Sequence, residues 1–218
     1  MVKRVAACAW TCLFAVQLAQ AQPASTLDAA KLAATLGPGI ELVQRMDADL
    51  NRDGETDTAY VGRGRDGYLV GVVLAYRSEG THVHDDLKPL LLPDPASDPP
   101  VLDRKDDVLG VRHAGIGGTK AWYRYRYDPY EHEMILVGLD AERTGRARQG
   151  HDGIRLRWDL LTGAHVVEHG KHAPDDAADA YGPGKRTVRK PRPIWMVDTP
   201  DVDALLDSEI VLAGEGRD

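Results

Sequence analysis

Between residues 40 and 168 this chain is cut into short runs of apolar or alternating residues by aspartate, glycine and proline. That rhythm constrains the fold more than any other feature. The runs lie at 40–46, 58–62, 68–77, 108–113, 122–127, 133–139, 154–160 and 164–168 and are rich in strand-forming residues. The run at 122–127 reads Trp122, Tyr123, Arg124, Tyr125, Arg126, Tyr127. Successive side chains of a strand point to opposite faces, so this alternation marks a half-buried strand. Turn formers separate the runs: Asp66 and Gly67, Gly115 with Gly117 and Gly118, Asp128 and Pro129, Thr162 and Gly163. The spacing predicts a mainly-β fold, an antiparallel meander forming a curved sheet or sandwich. Trp122, Trp158 and the apolar strand faces are expected to form its core.

The flanks read differently. A short helix is predicted over 27–36, capped by Ser25 or Thr26 and stopped by Gly37, Pro38 and Gly39. Residues 93–100 form a proline- and aspartate-rich loop. Over 174–193 an acidic start at Asp175 and Asp176 gives way to a basic, proline-bearing run, which reads as an extended excursion. A short helix is predicted over 201–211, with Asp198, Thr199 or Asp201 near its cap. No segment repeats at a fixed period.

At the N-terminus Lys3 and Arg4 precede an apolar stretch over 5–18, and Ala19, Gln20 and Ala21 give a small-x-small pattern. This predicts a secretory signal peptide cleaved after Ala21. The stretch is too short to span a bilayer. Val5, Ala6, Ala7 and Cys8 look like a lipoprotein box, but cleavage there would leave almost no hydrophobic region upstream. The expected organisation is a leader over 1–21, a β domain over 22–173, and an extended segment with a short helix over 174–218. The expected location is the periplasm or the medium.

Both cysteines, Cys8 and Cys12, lie in the leader. An exported domain without disulfides needs a substantial core or a bound ion. The formal net charge is −7, and cleavage would remove the cations Lys3 and Arg4. An acidic balance argues against nucleic acid and against adhesion to anionic lipid. It suits a protein that collects cations. No membrane span is expected, and the chain should be a monomer.

The densest chemistry lies at 47–57. Counting from Asp49, side-chain oxygens fall at loop positions 1, 3, 5 and 9: Asp49, Asn51, Asp53 and Asp57. Gly54 sits at position 6, where a tight turn needs positive φ. Glu55 at position 7 would offer its backbone carbonyl. Starting at Asp47 puts no glycine at position 6, so the Asp49 register is preferred. Ca²⁺ takes six to eight oxygens around one point, and bringing these aspartates together without a cation costs like-charge repulsion. An EF-hand would need a glutamate at position 12 and flanking helices; here position 12 is Tyr60 and both flanks read as strands. The expected cofactor is therefore one structural Ca²⁺, held by Asp49, Asn51, Asp53, Glu55 and Asp57. One anionic ligand short of a full set, its affinity should fall at about 10⁻⁴ to 10⁻³ M. Turn chemistry alone also favours aspartate and glycine in a hairpin.

Residues 49–62 resemble the calcium loop of FG-GAP/VCBS-type repeats, in which a strand–loop–strand unit binds Ca²⁺ through the matching aspartates and asparagine. The resemblance implies Asp49, Asn51, Asp53 and Asp57 as ligands. In integrin-like propellers such repeats come in several copies; here there is one. More loosely, this loop, the glycine pair Gly117 and Gly118 before Trp122, and the turn at Leu161, Thr162 and Gly163 resemble small exported bacterial proteins.

Other motifs are weaker. His165, Glu168 and His169 match an H-x-x-E-H pattern, but Val166 and Val167 favour a strand, in which Glu168 points away from both histidines. His82 and His84 would share one face of a strand and could bind Zn²⁺ or Cu²⁺, though exposed polar residues on a sheet look the same. The aromatic run from Trp122 to Tyr130 could be a glycan or peptide platform, or a half-buried strand with stacked arginines. The expected function is an exported, non-catalytic binding or envelope-associated protein with an unspecified protein or glycan partner. The alternatives are an inhibitor- or immunity-type partner of a cell-wall enzyme, or a hydrolase with an ungrouped acidic site.

Overall fold

A computed structural model describes residues 27–93, 98–115, 118–144, 153–171 and 180–214. The predicted leader, Ser25, Thr26, Asp175 and Asp176 lie outside the described residues.

Two antiparallel sheets form the molecule. The first runs in chain order through β1 (Glu41–Ala48), β2 (Asp57–Gly64), β3 (Gly67–Ser78) and β4 (Thr81–Asp86), and β5 (Leu90–Leu92) returns to pair with the start of β3. The second is also sequential: β6 (Val101–Lys105), β7 (Val108–Ala114), β8 (Thr119–Asp128), β9 (Glu133–Arg143), β10 (Ile154–Asp159), β11 (Ala164–Lys171) and β12 (Ala180–Tyr181). A last strand, β13 (Lys185–Val188), joins β11 alongside β12. The fold is thus the predicted mainly-β meander, folded as a sandwich.

The core lies between the sheets. Val70, Val72 and Leu74 of β3 share one cluster with Leu109 and Val111 of β7, Tyr123 and Tyr125 of β8, and Leu156 of β10. The opposite face of the first sheet is covered by α1 (Ala29–Leu36), whose Leu32 and Leu36 pack on Tyr60 and Val73. Gly71 makes that fit: a β-carbon there would lie 2.3 Å from the Tyr60 hydroxyl oxygen. At one side the sheets are joined by a side chain. Gln44 of β1 accepts from the Leu102 N–H at 3.0 Å and donates to the Leu102 carbonyl at 3.5 Å, satisfying backbone groups on the open edge of β6.

Both short helices are present, and the α1 cap is Asp28 rather than the expected Ser25 or Thr26. Asp28 caps α1, its Oδ1 accepting from the Lys31 N–H at 2.7 Å, and Gly37 ends it at φ 80°. Asp201 caps α2 (Val202–Gly214), its Oδ1 accepting from Asp203 and Ala204 N–H at 2.8 and 3.1 Å. Val202, Leu206 and Met196 enter the same core as the strands.

Trp122 departs from expectation. It faces outward, while Tyr123 and Tyr125 fill the core at 2% and 0% exposure. The alternation puts Trp122 on the arginine face, where the guanidinium carbons of Arg112 and Arg124 lie 5.2 and 4.9 Å from the indole centroid. Trp158 packs against the core part-buried, as expected. Strands β4, β5, β6, β12 and β13 carry no alternation long enough to read. Among the described residues no helix is long and apolar enough to cross a membrane.

Candidate functional site

The acidic loop joins β1 to β2 and is built from its own side chains. Asp49 Oδ1 accepts from the Arg52 N–H at 2.7 Å and its Oδ2 from the Gly54 N–H at 3.1 Å. Asn51 Oδ1 accepts from the Asp53 N–H at 3.0 Å, and Asp53 Oδ1 from the Glu55 N–H at 2.8 Å. These are aspartate and asparagine turns, in which a short side chain replaces a backbone acceptor. Two residues take left-handed backbone, Gly54 at φ 88° and Arg52 at φ 65°. Glycine adopts that region freely; arginine does so at a cost.

Asp57 is the hub. It is fully buried, its Oδ2 accepting from Leu50 and Asn51 N–H at 2.7 and 3.2 Å, and its Oδ1 from the Ala75 N–H at 2.8 Å. One carboxylate therefore ties the loop to the middle of β3. Burial pushes its carboxyl up to about 6, against the pull of those three N–H groups, and the Asp53 charge adds to the rise. Among the described residues no Lys or Arg side chain enters this balance.

The predicted ligands divide three ways. Asp49, Asn51 and Asp53 stand together on the exposed loop, and each bonded oxygen has a second lone pair. Asp57 Oδ1 takes a single N–H, from Ala75, and so keeps a second lone pair. The Glu55 side chain turns away, 2.7 Å from Arg77 Nε and 3.5 Å from His82 Nδ1, so only its carbonyl remains for a cation. Asp47 is engaged elsewhere, with Arg45 at 2.9 Å and the Thr58 hydroxyl at 2.7 Å, which favours the register that starts at Asp49. In kind the donors suit a hard cation, which takes oxygen. Among the described residues no three His, Cys, Asp or Glu side chains converge as a ready cage.

Contacts invisible in the sequence brace the loop. Arg104 of β6 donates to the Asp49 carbonyl at 3.0 Å, and Arg52 pairs with Asp107 at 2.8 Å, linking the loop to the second sheet. Tyr127 lies near it too. Burial and then the charges of Asp85, Asp53, Asp57 and Asp128 raise its phenol. Asp85 of β4 and Asp128 of β8 thus add negative charge to that of the loop.

Elsewhere, His165 and His169 sit on β11 with Glu168 on the opposite face, paired to Arg157 at 2.8 Å. His165 is 1% exposed and its Nδ1 lies 3.2 Å from the Thr187 hydroxyl. Its Nε2 lies 3.6 Å from Glu209 of α2, which accepts from Arg189 at 2.5 Å. Burial and then Arg189 lower the imidazole, with Glu209 opposing. His82 and His84 lie two residues apart on β4. Tyr130 is 93% exposed at the β8–β9 turn. A cavity of about 450 Å³ between β5 and the start of α2 includes Thr119 and Asp203, bonded to each other at 2.5 Å. In comparisons with known proteins the chain matches no family model, no curated protein and no solved structure.

Proposed function

We propose that this is an exported, non-catalytic binding protein whose 49–57 loop takes one Ca²⁺ as a structural ion. The observation that supports it most is Asp57, a fully buried carboxylate held by backbone N–H groups at the end of the loop that carries the side-chain oxygens of Asp49, Asn51 and Asp53. An ion there would be held by those side chains and the Glu55 carbonyl. It would neutralise the clustered charge and lock the loop against β3. The non-catalytic part of the reading rests on how buried ionisable groups are used: Asp57 anchors a loop, while His165 and Glu209 seat a helix. The export part rests on the pattern over 1–21, and predicts that the mature protein begins at Gln22.

Thermal unfolding of the chain from Gln22 onward, in Ca²⁺ and then in chelator, tests the ion. Free Ca²⁺ at about a hundred times its Kd should add about 2.7 kcal/mol, and Asp49→Ala and Asp53→Ala should each remove that gain. An unchanged melting temperature, or a rise that survives both substitutions, would sink the reading.

A further inference from the structure

The outward face of the second sheet curves into an open trough of about 710 Å³. Arg112, Lys120, Arg155 and Arg157 stand in it against Asp98, Asp140 and Glu142, on a chain whose formal net charge is −7. The cations are thus gathered where the chain as a whole is acidic. They also retain capacity. Arg112 and Arg157 are 62% and 55% exposed and spend a nitrogen each on Asp103 and Glu168, at 2.8 Å in both cases. A guanidinium has five N–H donors, so each keeps others for a ligand. Lys120 is exposed and has no carboxylate partner among the described residues. Asp140 and Glu142 are already neutralised, by Arg124 at 3.0 Å and Arg155 at 3.3 Å. Asp98, on the rim, opposes an anion.

The same details select among anions. A nucleobase needs a bare aromatic face to stack on, and the trough's Trp122 is overlain by Arg112 and Arg124. An extended peptide gains most from an unpaired strand edge, and the floor strands β7 to β10 are paired on both sides. Sugar hydroxyls both donate and accept, which matches guanidinium, ammonium and carboxylate groups set side by side. We propose that this trough binds an acidic oligosaccharide, its carboxylates set on Lys120, Arg112 and Arg157 and its hydroxyls on Asp140 and Glu142. The proposal rests on the reading of the protein as a non-catalytic binder and names the chemistry of its ligand.

The test is titration of a labelled uronic-acid trisaccharide, with the neutral trisaccharide of the same linkage and a single-stranded oligonucleotide as controls. Saturable binding to the uronic acid alone, weakening with salt, is expected. Lys120→Glu with Arg157→Glu should weaken it about tenfold or more, and Lys120→Met about threefold, the latter with unchanged melting temperature because Lys120 holds no ion pair among the described residues. The trough and the acidic loop lie at opposite ends of the β6–β7 hairpin, so affinity should be equal in Ca²⁺ and in chelator. Failure of the ion reading would therefore leave this result intact. No binding at millimolar ligand, equal binding of either control, an affinity unmoved by the charge reversals, or loss of binding in chelator would each overturn the proposal.

Discussion

The acidic loop and the seat of α2 each bury a carboxylate, and they satisfy it by opposite means. Asp57 has three backbone N–H groups and, among the described residues, no Lys or Arg partner; Glu209 has the Arg189 guanidinium. Backbone donors fix position and bring no charge, so burial dominates and the Asp57 carboxyl rises to about 6. At the α2 seat the group that burial moves is the neighbouring base: His165 is held below its usual range. Where the chain supplies the counter-charge, a helix is tied to a strand. Where it supplies none, the carboxylate closes a loop that carries three oxygen-bearing side chains, Asp49, Asn51 and Asp53.

Asp57→Ala is expected to have the largest effect. It strands three amides, two of them in the loop and one on β3, and should cost roughly 3 to 5 kcal/mol in urea unfolding. A cost below about 1 kcal/mol would show that the loop does not depend on its hub. Glu209→Ala should cost less, about 2 kcal/mol, because Arg189 is 42% exposed and turns to water. Its effect should be local, with hydrogen exchange rising over α2 and not over β8 or β9. Uniform exchange across the sandwich would erase the distinction between the two regions.

The two sites should also differ in sign with pH. A carboxyl raised in the folded state contributes stability that is present below its unfolded value of 3.8 and is lost as pH climbs through about 6. An imidazole lowered in the folded state contributes stability that is present above its ordinary value of 6.5 and is lost as pH falls below it. Unfolding free energies from pH 4 to 7.5, in chelator, should therefore change shape in opposite ways: Asp57→Asn removes the alkaline loss and His165→Gln the acid loss. Identical profiles for both variants and the parent would refute the assignment. The smallest effect is expected at Arg52. Replacing it by glycine relieves a left-handed arginine and gives up only an exposed ion pair, for a gain within about 1 kcal/mol.

Much of this was legible in advance, and the misses share a cause. The eight strand runs read from the sequence all fall on strands β1, β2, β3 and β7 to β11, because alternation and turn residues act over a few positions. The run from Trp122 to Tyr127 also held its own correction: period two groups Trp122 with Arg124 and Arg126, and hydrophobicity alone had suggested the core. Strand β4, with His82, His84, Asp85 and Asp86, is polar because it is an edge, and edges carry charge to discourage further pairing. Strands β5 and β12 are too short to show a period.

The sequence by itself determined the sandwich-forming strands, the glycine turns and the oxygen spacing of the loop. All of these are set by neighbours within a turn or a pleat. Only the tertiary structure decided that Asp57 reaches Ala75, that Glu55 turns to Arg77, that Glu209 meets Arg189 and that the outward arginines line one trough. Those partners come from different elements, and burial and packing, which no local pattern encodes, bring them together.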